Sequence, residues 1–108
     1  MSGPEDLDAD LPERRDPADA TVRTLTIVNK KGLHARASAK FCQTVERFDA
    51  QVRVTRGQET VGGTSIMGLM MLGAATGTVI TIEATGNEAT AAADALDKLV
   101  TGGFGEED

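Results

Sequence analysis

Two hydrophobic patterns alternate between residues 21 and 101, and this alternation limits the folds open to the chain more than any other feature. Runs in which apolar and polar residues alternate indicate half-buried strands, whereas apolar residues three and four positions apart indicate amphipathic helices. The strand pattern covers residues 21–28, 51–55, 58–61 and 78–85, and the helix pattern covers residues 35–48, 65–72 and 88–101. We therefore expect an α+β domain with the order β-α-β-β-α-β-α.

The residues between these segments are typical of turns and helix ends. Arg56 and Gly57 separate two short strand patterns and so predict a β-hairpin. Ser65 stands at the N-cap of the second helical segment and Gly73 follows its end, and both are preferred residues at those positions. His34 is expected to cap the start of the first helical segment.

The two ends of the chain differ from this central segment in composition. Residues 1–20 contain seven acidic and two basic side chains, all three prolines and few apolar residues, so they are expected to form a disordered acidic arm. Residues 102–108 add three acidic side chains and are interpreted as an acidic tail. The domain of residues 21–101 carries a formal charge of +2, although the whole chain carries −6. A mildly basic domain suits an acidic protein partner.

The composition disfavours several classes of function. Tryptophan and tyrosine are absent from the sequence and the three phenylalanines are not interleaved with basic residues, which argues against nucleic-acid binding. Apolar runs are too short to span a membrane and the acidic start is unlike a signal peptide, so we expect a cytoplasmic protein. We also expect a monomer. The one cysteine, Cys42, falls on the apolar stripe of the first helix and is expected to be a core residue rather than a reactive thiol.

The only histidine lies where the first strand pattern gives way to a helix, in the segment Gly-Leu-His-Ala-Arg at residues 32–36. A neutral imidazole is a nucleophile near pH 7, and the free N–H groups and positive dipole end of a helix N-terminus attract anions. Arg36 adds a fixed positive charge two residues later. His34 and Arg36 are therefore candidates for anion chemistry; the alternative is that His34 is a cap or loop residue without chemistry.

A second distinctive run follows about thirty residues later, Thr-Ser-Ile-Met-Gly-Leu-Met-Met-Leu-Gly at residues 64–73. At this spacing the two segments resemble the HPr family, the histidine-phosphorylatable carriers of the bacterial phosphotransferase system, and the likeness extends over residues 21–101. The resemblance implies an open-faced sandwich, in which a four-stranded antiparallel sheet of order 1-4-2-3 carries three helices on one face. Residues 103–108 are similar to the acidic tail of nitrogen-related phosphocarriers.

The resemblance implies a phosphoryl carrier, not an enzyme. His34 would be phosphorylated on Nδ1 by enzyme I, using phosphoenolpyruvate, and would pass the phosphoryl group to an EIIA-type protein. Arg36 and the backbone amides of Ala35, Arg36 and Ala37 would hold the phosphate through charge–dipole terms of about 0.3–1 kcal/mol, loosely enough for release. The sequence shows neither a nucleotide-binding loop nor a metal-ligand cluster, so we expect no cofactor and no metal.

Ala37 departs from the pattern of many family members, which have proline after the arginine. Proline in the first helical turn rigidifies the chain and lacks an N–H. We therefore predict a softer helix start with one more amide able to face the phosphate. An Ala37→Pro variant should change the lifetime of the phosphohistidine or its transfer rate.

Ser65 matches a serine that an ATP-dependent HPr kinase/phosphorylase modifies in HPr relatives. As an N-cap, Ser65 also has a structural role worth roughly 1 kcal/mol. A phosphate there would add about −1.5 to −2 charge and repel acidic partners. We expect phosphorylation of Ser65 to hinder phosphorylation of His34; the alternative is a capping role alone.

The second helix carries more apolar side chains than one face can bury. Leu69 and Leu72 are the expected core residues. Ile66, Met67 and Met70 are expected to form an exposed, adaptable docking patch near the histidine, because methionine suits surfaces that must fit several partners. The alternative is that the whole segment packs in the core.

Two other functions compete with the carrier. A regulatory binding module would act through Ser65 phosphorylation and protein docking, with His34 rarely used. A small ligand-binding α/β domain would need a convergent polar pocket motif, which the sequence lacks. The pairing of His34 with Arg36 favours the carrier.

Overall fold

Four strands and three α-helices follow one another in the predicted order in the computed structural model, which describes residues 20–106. The predicted acidic arm lies outside this range except for Ala20, as do residues 107 and 108 of the tail. The elements are β1 (Thr21–Thr26), α1 (Ala35–Glu46), β2 (Gln51–Arg56), β3 (Glu59–Gly62), α2 (Ile66–Met71), β4 (Val79–Thr85) and α3 (Ala89–Thr101), followed by a 3-10 turn at Gly103–Gly105. None of the helices in the described range is long and apolar enough to cross a bilayer.

Two elements end two residues earlier than the periodicity predicts. β1 ends at Thr26 rather than at residue 28, because Ile27 is bonded to the loop before β4. The N–H of Ile27 donates to the Thr78 carbonyl at 2.9 Å, and its own carbonyl accepts from the N–H of Gly77 at 2.7 Å. α1 ends at Glu46 rather than at residue 48, and Phe48 packs against the core from the following turn. Both differences concern ends, so the predicted buried faces are unchanged.

All four strands belong to one antiparallel sheet in the order β1-β4-β2-β3, which confirms the order that the resemblance implies. β4 lies between β1 and β2, and its buried residues Ile80, Ile82 and Ala84 alternate with half-buried or exposed ones. Because the side-chain period of a strand is two, this alternation turns one face of the sheet toward the core.

The helices cover that one face of the sheet and enclose the core. α1 contributes a buried stripe that includes Ala37, Phe41 and Val45, and α3 contributes a face dominated by alanine. The small side chains of α3 let its backbone lie close to β1 and β4. Fully burying a side chain such as that of Phe41 contributes roughly 1.5–3 kcal/mol, so the core is the main source of stability.

The packed chain continues past the predicted helix end at residue 101. Phe104 is 1% exposed and belongs to the core, and its carbonyl accepts a hydrogen bond from Lys40 Nζ at 2.7 Å. Gly103, Phe104 and Gly105 have φ of 67°, 59° and 73°, so the chain turns back in a left-handed conformation. For phenylalanine this conformation costs about 1–3 kcal/mol, which burial of the ring offsets. Residues 102–106, here termed the C-terminal strap, end beside the start of α1.

Candidate functional site

The loop between β1 and α1 is held by a neighbouring loop. Gly32 has a φ of 64°, and a Cβ there would lie 2.3 Å from the carbonyl oxygen of Ala74, so glycine is required. Leu33 is buried, and its N–H donates to the same Ala74 oxygen at 2.9 Å. These contacts determine the direction in which the next residue enters α1.

His34 is the N-cap of α1, as predicted. Its backbone is extended, with φ −74° and ψ −177°, and its carbonyl accepts a helical hydrogen bond from Ser38 N at 2.8 Å. The ring turns over the helix start, where Nδ1 accepts a hydrogen bond from Arg36 N at 3.2 Å. The side chain is 27% exposed. Nδ1 therefore lies at the positive end of the helix on a ring that solvent can reach.

The other ring nitrogen is paired with the C-terminal strap. Nε2 of His34 contacts Oε2 of Glu106, and Oε1 of Glu106 accepts a hydrogen bond from Asn29 Nδ2 at 3.0 Å. Asn29 is 4% exposed, and its Nδ2 also donates to the Gly32 carbonyl at 2.9 Å. The hydrogen bond from His34, and after it that from Asn29, holds the pKa of Glu106 below its ordinary value. Glu106 is therefore a carboxylate at neutral pH.

These contacts define where the proton lies on the neutral imidazole. A carboxylate can only accept hydrogen bonds, so Nε2 must carry the proton. A backbone N–H can only donate, so Nδ1 must carry the lone pair. The nitrogen that points at the helix start is thus the nucleophilic one.

An open cleft of about 620 Å³ lies beside His34 and is bordered mainly by basic side chains. Lys31, Arg36 and Lys40 line it together with Glu106. Lys40 is held by the strap carbonyl, whereas within residues 20–106 the guanidinium of Arg36 makes no hydrogen bond or ion pair. Arg36 is exposed, so its side chain can turn toward an anion at His34 without breaking an existing pair.

The three predicted phosphate-binding amides belong to the first turn of α1. Ala35 and Arg36 are exposed, whereas the side chain of Ala37 is fully buried. First-turn N–H groups have no partner within the helix, so those of Ala35 and Ala37 are available to an anion, whereas that of Arg36 donates to His34 Nδ1. The phosphate-binding role of these amides stays a prediction, as does the effect of alanine in place of proline at residue 37.

Ser65 is the N-cap of α2, as predicted. Its Oγ accepts a hydrogen bond from Gly68 N at 2.9 Å, and the residue is exposed. Its backbone N–H donates to the Gly62 carbonyl at 3.2 Å, which ties the helix start to the end of β3. The structure thus provides an accessible hydroxyl at a helix start, and its modification stays a prediction.

The exposed side of α2 is apolar. Leu69 and Leu72 are buried, whereas Ile66, Met67 and Met70 are 42%, 67% and 40% exposed. Met71, at 74%, is more exposed than any of these three. The predicted division between core and surface therefore holds for the five side chains named in the sequence, and their docking role stays a prediction.

Two residues of the site, Asn29 and Glu106, escape the sequence analysis. Asn29 lies in a segment that the sequence marks only as a loop, and Glu106 in one that it marks only as an acidic tail. One signal is present in the sequence: Phe104, an aromatic residue between two glycines, does not suit a fully solvated tail. It indicates a packed anchor two residues before Glu106.

The remaining candidates for chemistry are structural. Cys42 is buried, and this burial raises the pKa of its thiol, as suits a core residue. In the part of the chain that the structure describes, no group of three or more His, Cys, Asp or Glu side chains is placed to hold a metal ion.

Comparison with known proteins agrees with the fold and with the family resemblance. A family model described as the PTS HPr component phosphorylation site matches residues 21–102. Phosphocarrier protein HPr of Neisseria meningitidis is 52% identical over 84 residues, which cover 78% of this chain and 94% of that protein. Phosphocarrier protein NPr of Shewanella violacea is 40% identical over 84 residues, which cover 78% of this chain and 92% of that protein.

Solved structures give the same result. The structure of HPr-C-His from Thermoanaerobacter tengcongensis matches with a TM-score of 0.78 at 41% identity, over 82% of this chain and 99% of that one. The family match includes every strand and helix of the sandwich and the loop that carries His34. The chain belongs to the HPr family of the phosphotransferase system, whose members are phosphocarrier proteins rather than enzymes.

Proposed function

We propose that His34 accepts a phosphoryl group on Nδ1 from enzyme I, which obtains it from phosphoenolpyruvate, and passes it to an EIIA-type protein. The observation that supports this most strongly is the orientation of the imidazole. Nδ1 carries the lone pair and faces the N-terminus of α1, on a ring that is partly exposed. We place this relay in the cytoplasm and expect the carrier to act as a monomer.

The helix start suits a phosphate that is held for a limited time. Once Nδ1 is bonded to phosphorus it no longer accepts from Arg36 N, so that N–H becomes free to donate to a phosphoryl oxygen. The exposed guanidinium of Arg36 adds charge from the solvent side. Charge–dipole terms of about 0.3–1 kcal/mol stabilise the phosphate without trapping it, which a carrier requires.

The relay is tested by incubating the full chain with enzyme I and ³²P-labelled phosphoenolpyruvate. Acid releases phosphate from histidine and not from serine, so acid treatment separates the two modifications. We expect acid-labile label on the wild-type chain and on the control variant Ser65→Ala, and none on His34→Ala. Acid-labile label on His34→Ala would contradict the relay. An unlabelled wild-type chain would do the same, and would favour the regulatory binding module.

We further propose that Ser65 is a regulatory site for an HPr kinase/phosphorylase. A phosphate on Oγ would stand at the exposed N-cap of α2, where first-turn amides favour negative charge. Ile66 and Met67 follow directly, so the same charge would border the apolar surface and repel an acidic partner. Modification would therefore stabilise the helix start and weaken docking.

The regulatory proposal is tested with Ser65→Asp, which places a carboxylate at the cap. We expect enzyme I to phosphorylate His34 more slowly in this variant than in the wild-type chain. Thr64→Asp is the matched control, because it adds the same charge at the neighbouring exposed residue without replacing the cap. Equal rates for Ser65→Asp and the wild type would end the inhibitory interpretation.

Ile66, Met67 and Met70 are proposed as the docking surface for both partners. Their exposed side chains give an apolar, adaptable surface on α2, which packs against the helix that His34 caps. Met67→Glu should raise the KM for transfer from enzyme I, because it places a charge in the contact. Val22→Glu is the control, since Val22 is 45% exposed on β1 and outside the surface; a similar rise in KM for both variants would contradict the assignment.

A further inference from the structure

We propose that Glu106 is a positioning residue for His34. Glu106 selects the Nε2–H tautomer and stabilises the positive charge that the imidazole gains during phosphoryl transfer. This inference rests on the proposed relay at His34. It concerns a part of the chain that lies beyond residue 102, where the family match ends. Its starting observation is the pairing of Glu106 Oε2 with His34 Nε2.

The strap that carries Glu106 is built to return to the histidine. Gly103, Phe104 and Gly105 are consecutive left-handed residues, and this conformation is unfavourable for phenylalanine. The ring of Phe104 is nevertheless fully packed, and Lys40 Nζ donates to its carbonyl. In a solvated tail nothing would offset this strain, so packing against the surrounding structure must stabilise the turn.

Asn29 joins the strap to the loop between β1 and α1, which carries His34. Its Nδ2 donates both to Glu106 Oε1 and to the Gly32 carbonyl, although the residue is 4% exposed. Its Oδ1 is buried without a hydrogen-bond partner among the described residues. An unsatisfied buried acceptor is unfavourable, so the favourable contribution of this amide lies in the two hydrogen bonds that Nδ2 donates. One of them is to the carboxylate that faces the imidazole.

The carboxylate acts on the ring in two ways. Before transfer it accepts the hydrogen bond of Nε2–H, so the lone pair stays on Nδ1, in agreement with the bond from Arg36 N. In transfer, the Nδ1 lone pair forms a bond to phosphorus, and the bond from phosphorus to the donor's leaving atom breaks, with its electron pair going to the donor. The ring thereby becomes positively charged, with Nε2–H facing Glu106. Transfer to the next acceptor reverses these changes.

Both actions follow the general behaviour of carboxylate–histidine pairs. A buried carboxylate behind a catalytic imidazole holds the tautomer and stabilises the imidazolium without taking its proton. The pair here is more solvated, since the two side chains are 27% and 14% exposed. We therefore expect a smaller effect, about tenfold on the transfer rate, near the lower end for a hydrogen bond to a charged group.

The test compares Glu106→Ala, Glu106→Gln and the control Glu59→Gln in the full chain. Glu59 lies on β3 and is exposed, so its variant removes one carboxylate outside the site. The ¹⁵N chemical shifts of the ring nitrogens distinguish the two neutral tautomers. Single-turnover phosphorylation by enzyme I gives the transfer rate.

We expect the Nδ1–H tautomer to become detectable in Glu106→Ala and transfer to slow about tenfold. In Glu106→Gln an acceptor remains but the charge is lost, so the tautomer should persist while transfer still slows. Glu59→Gln should match the wild type in both measurements. Unchanged ¹⁵N shifts together with an unchanged rate in Glu106→Ala would overturn the inference.

The tautomer measurement separates this inference from the relay itself. If the wild-type chain is never phosphorylated, the relay fails, whereas the ring shifts still report whether Glu106 orients His34. If the wild type is phosphorylated and Glu106→Ala behaves identically, the relay stands and Glu106 has no positioning role. A folded Glu106→Ala, shown by the amide shifts of α1 and β4, excludes general loss of structure as the cause.

Discussion

The domain contains two helix starts that are each capped by a candidate phosphorylation site, and they are built differently. At α1 the cap is an imidazole held by the backbone on one ring nitrogen and by the C-terminal strap on the other. At α2 the cap is a serine hydroxyl whose one side-chain hydrogen bond among the described residues is to Gly68 N. The first site combines residues 29–36 with Ala74 and with the strap. The second is built from residues 62–68 alone.

The difference follows from the chemistry of the two acceptor groups. A hydroxyl can rotate to present a lone pair, so the cap geometry alone would suffice for the proposed phosphorylation of Ser65. An imidazole has two nitrogens and one proton, so the correct nitrogen must be left unprotonated. The partners of the two ring nitrogens place the proton on Nε2, and this requirement explains why His34 has more partners than Ser65.

The largest loss of stability is expected from a substitution that displaces the loop between β1 and α1. Gly32→Ala combines an unfavourable φ with a Cβ placed 2.3 Å from the Ala74 carbonyl, and should destabilise the domain by about 4 kcal/mol. Gly57→Ala is the matched control, because Gly57 has nearly the same φ, 61°, and open space around the new Cβ. Urea unfolding of both variants isolates the close contact. Equal losses would show that the loop at α1 is no tighter than an ordinary hairpin turn.

The second-largest loss of stability is expected when Phe104, which anchors the strap, is removed. Phe104→Ala should cost about 3 kcal/mol, at the lower end for a buried phenylalanine because the short strap can relax around the missing ring. Hydrogen exchange should quicken at the start of α1 and stay unchanged at the start of α2. Phe48→Ala, which removes a partly buried ring outside the strap, is the control. Faster exchange at both helix starts would mean that the strap supports the whole domain rather than one site.

Removing the serine cap should have a smaller and purely local effect. Ser65→Ala leaves the N–H of Gly68 without its side-chain acceptor and should lower the free energy of unfolding by about 1 kcal/mol. Thr64→Ala, at the preceding exposed residue, serves as the control and should be nearly neutral. A loss well above that size for Ser65→Ala would indicate that the two helix starts are more alike than their contacts show.

The smallest effect concerns pH. The pKa of Glu106 is lowered in the folded chain, so its pairing stabilises the fold above the ordinary pKa of a glutamate and is lost as the pH falls through the lowered value. In His34→Ala the main cause of the lowering is removed, so a ¹³C titration of the Glu106 carboxyl should move toward the ordinary range. Ser65→Ala should leave the titration unchanged. A titration that does not move in His34→Ala would contradict the pairing.

The elements of the fold follow from local signals, which explains why they could be predicted. Alternation in residues 78–85 and the three- and four-residue spacing in residues 35–48 depend on neighbours in sequence, as do the two N-caps. Element ends are harder, because they depend on tertiary partners: β1 stops at Thr26 since Ile27 is bonded to a loop that lies fifty residues later. The helix–sheet arrangement itself came from the family resemblance.

The candidate site divides in the same way. His34, Arg36 and Ser65 lie in short motifs at helix starts, so the sequence alone singles them out. Glu106 is 72 residues from the histidine that it contacts. Neither periodicity nor charge pattern predicts a contact between residues so far apart in sequence. A carboxylate in an acidic tail looks the same in sequence whether it is solvated or paired.

The position of the strap in the chain has a consequence for biosynthesis. His34 leaves the ribosome 72 residues before Glu106, and every strand and helix of the sandwich precedes the strap. A released chain that is truncated before residue 106 therefore contains the histidine, its helix and every strand of the sheet while lacking the carboxylate. Under the proposed role of Glu106, such a chain would keep the phosphorylatable histidine but lose the group that orients its imidazole.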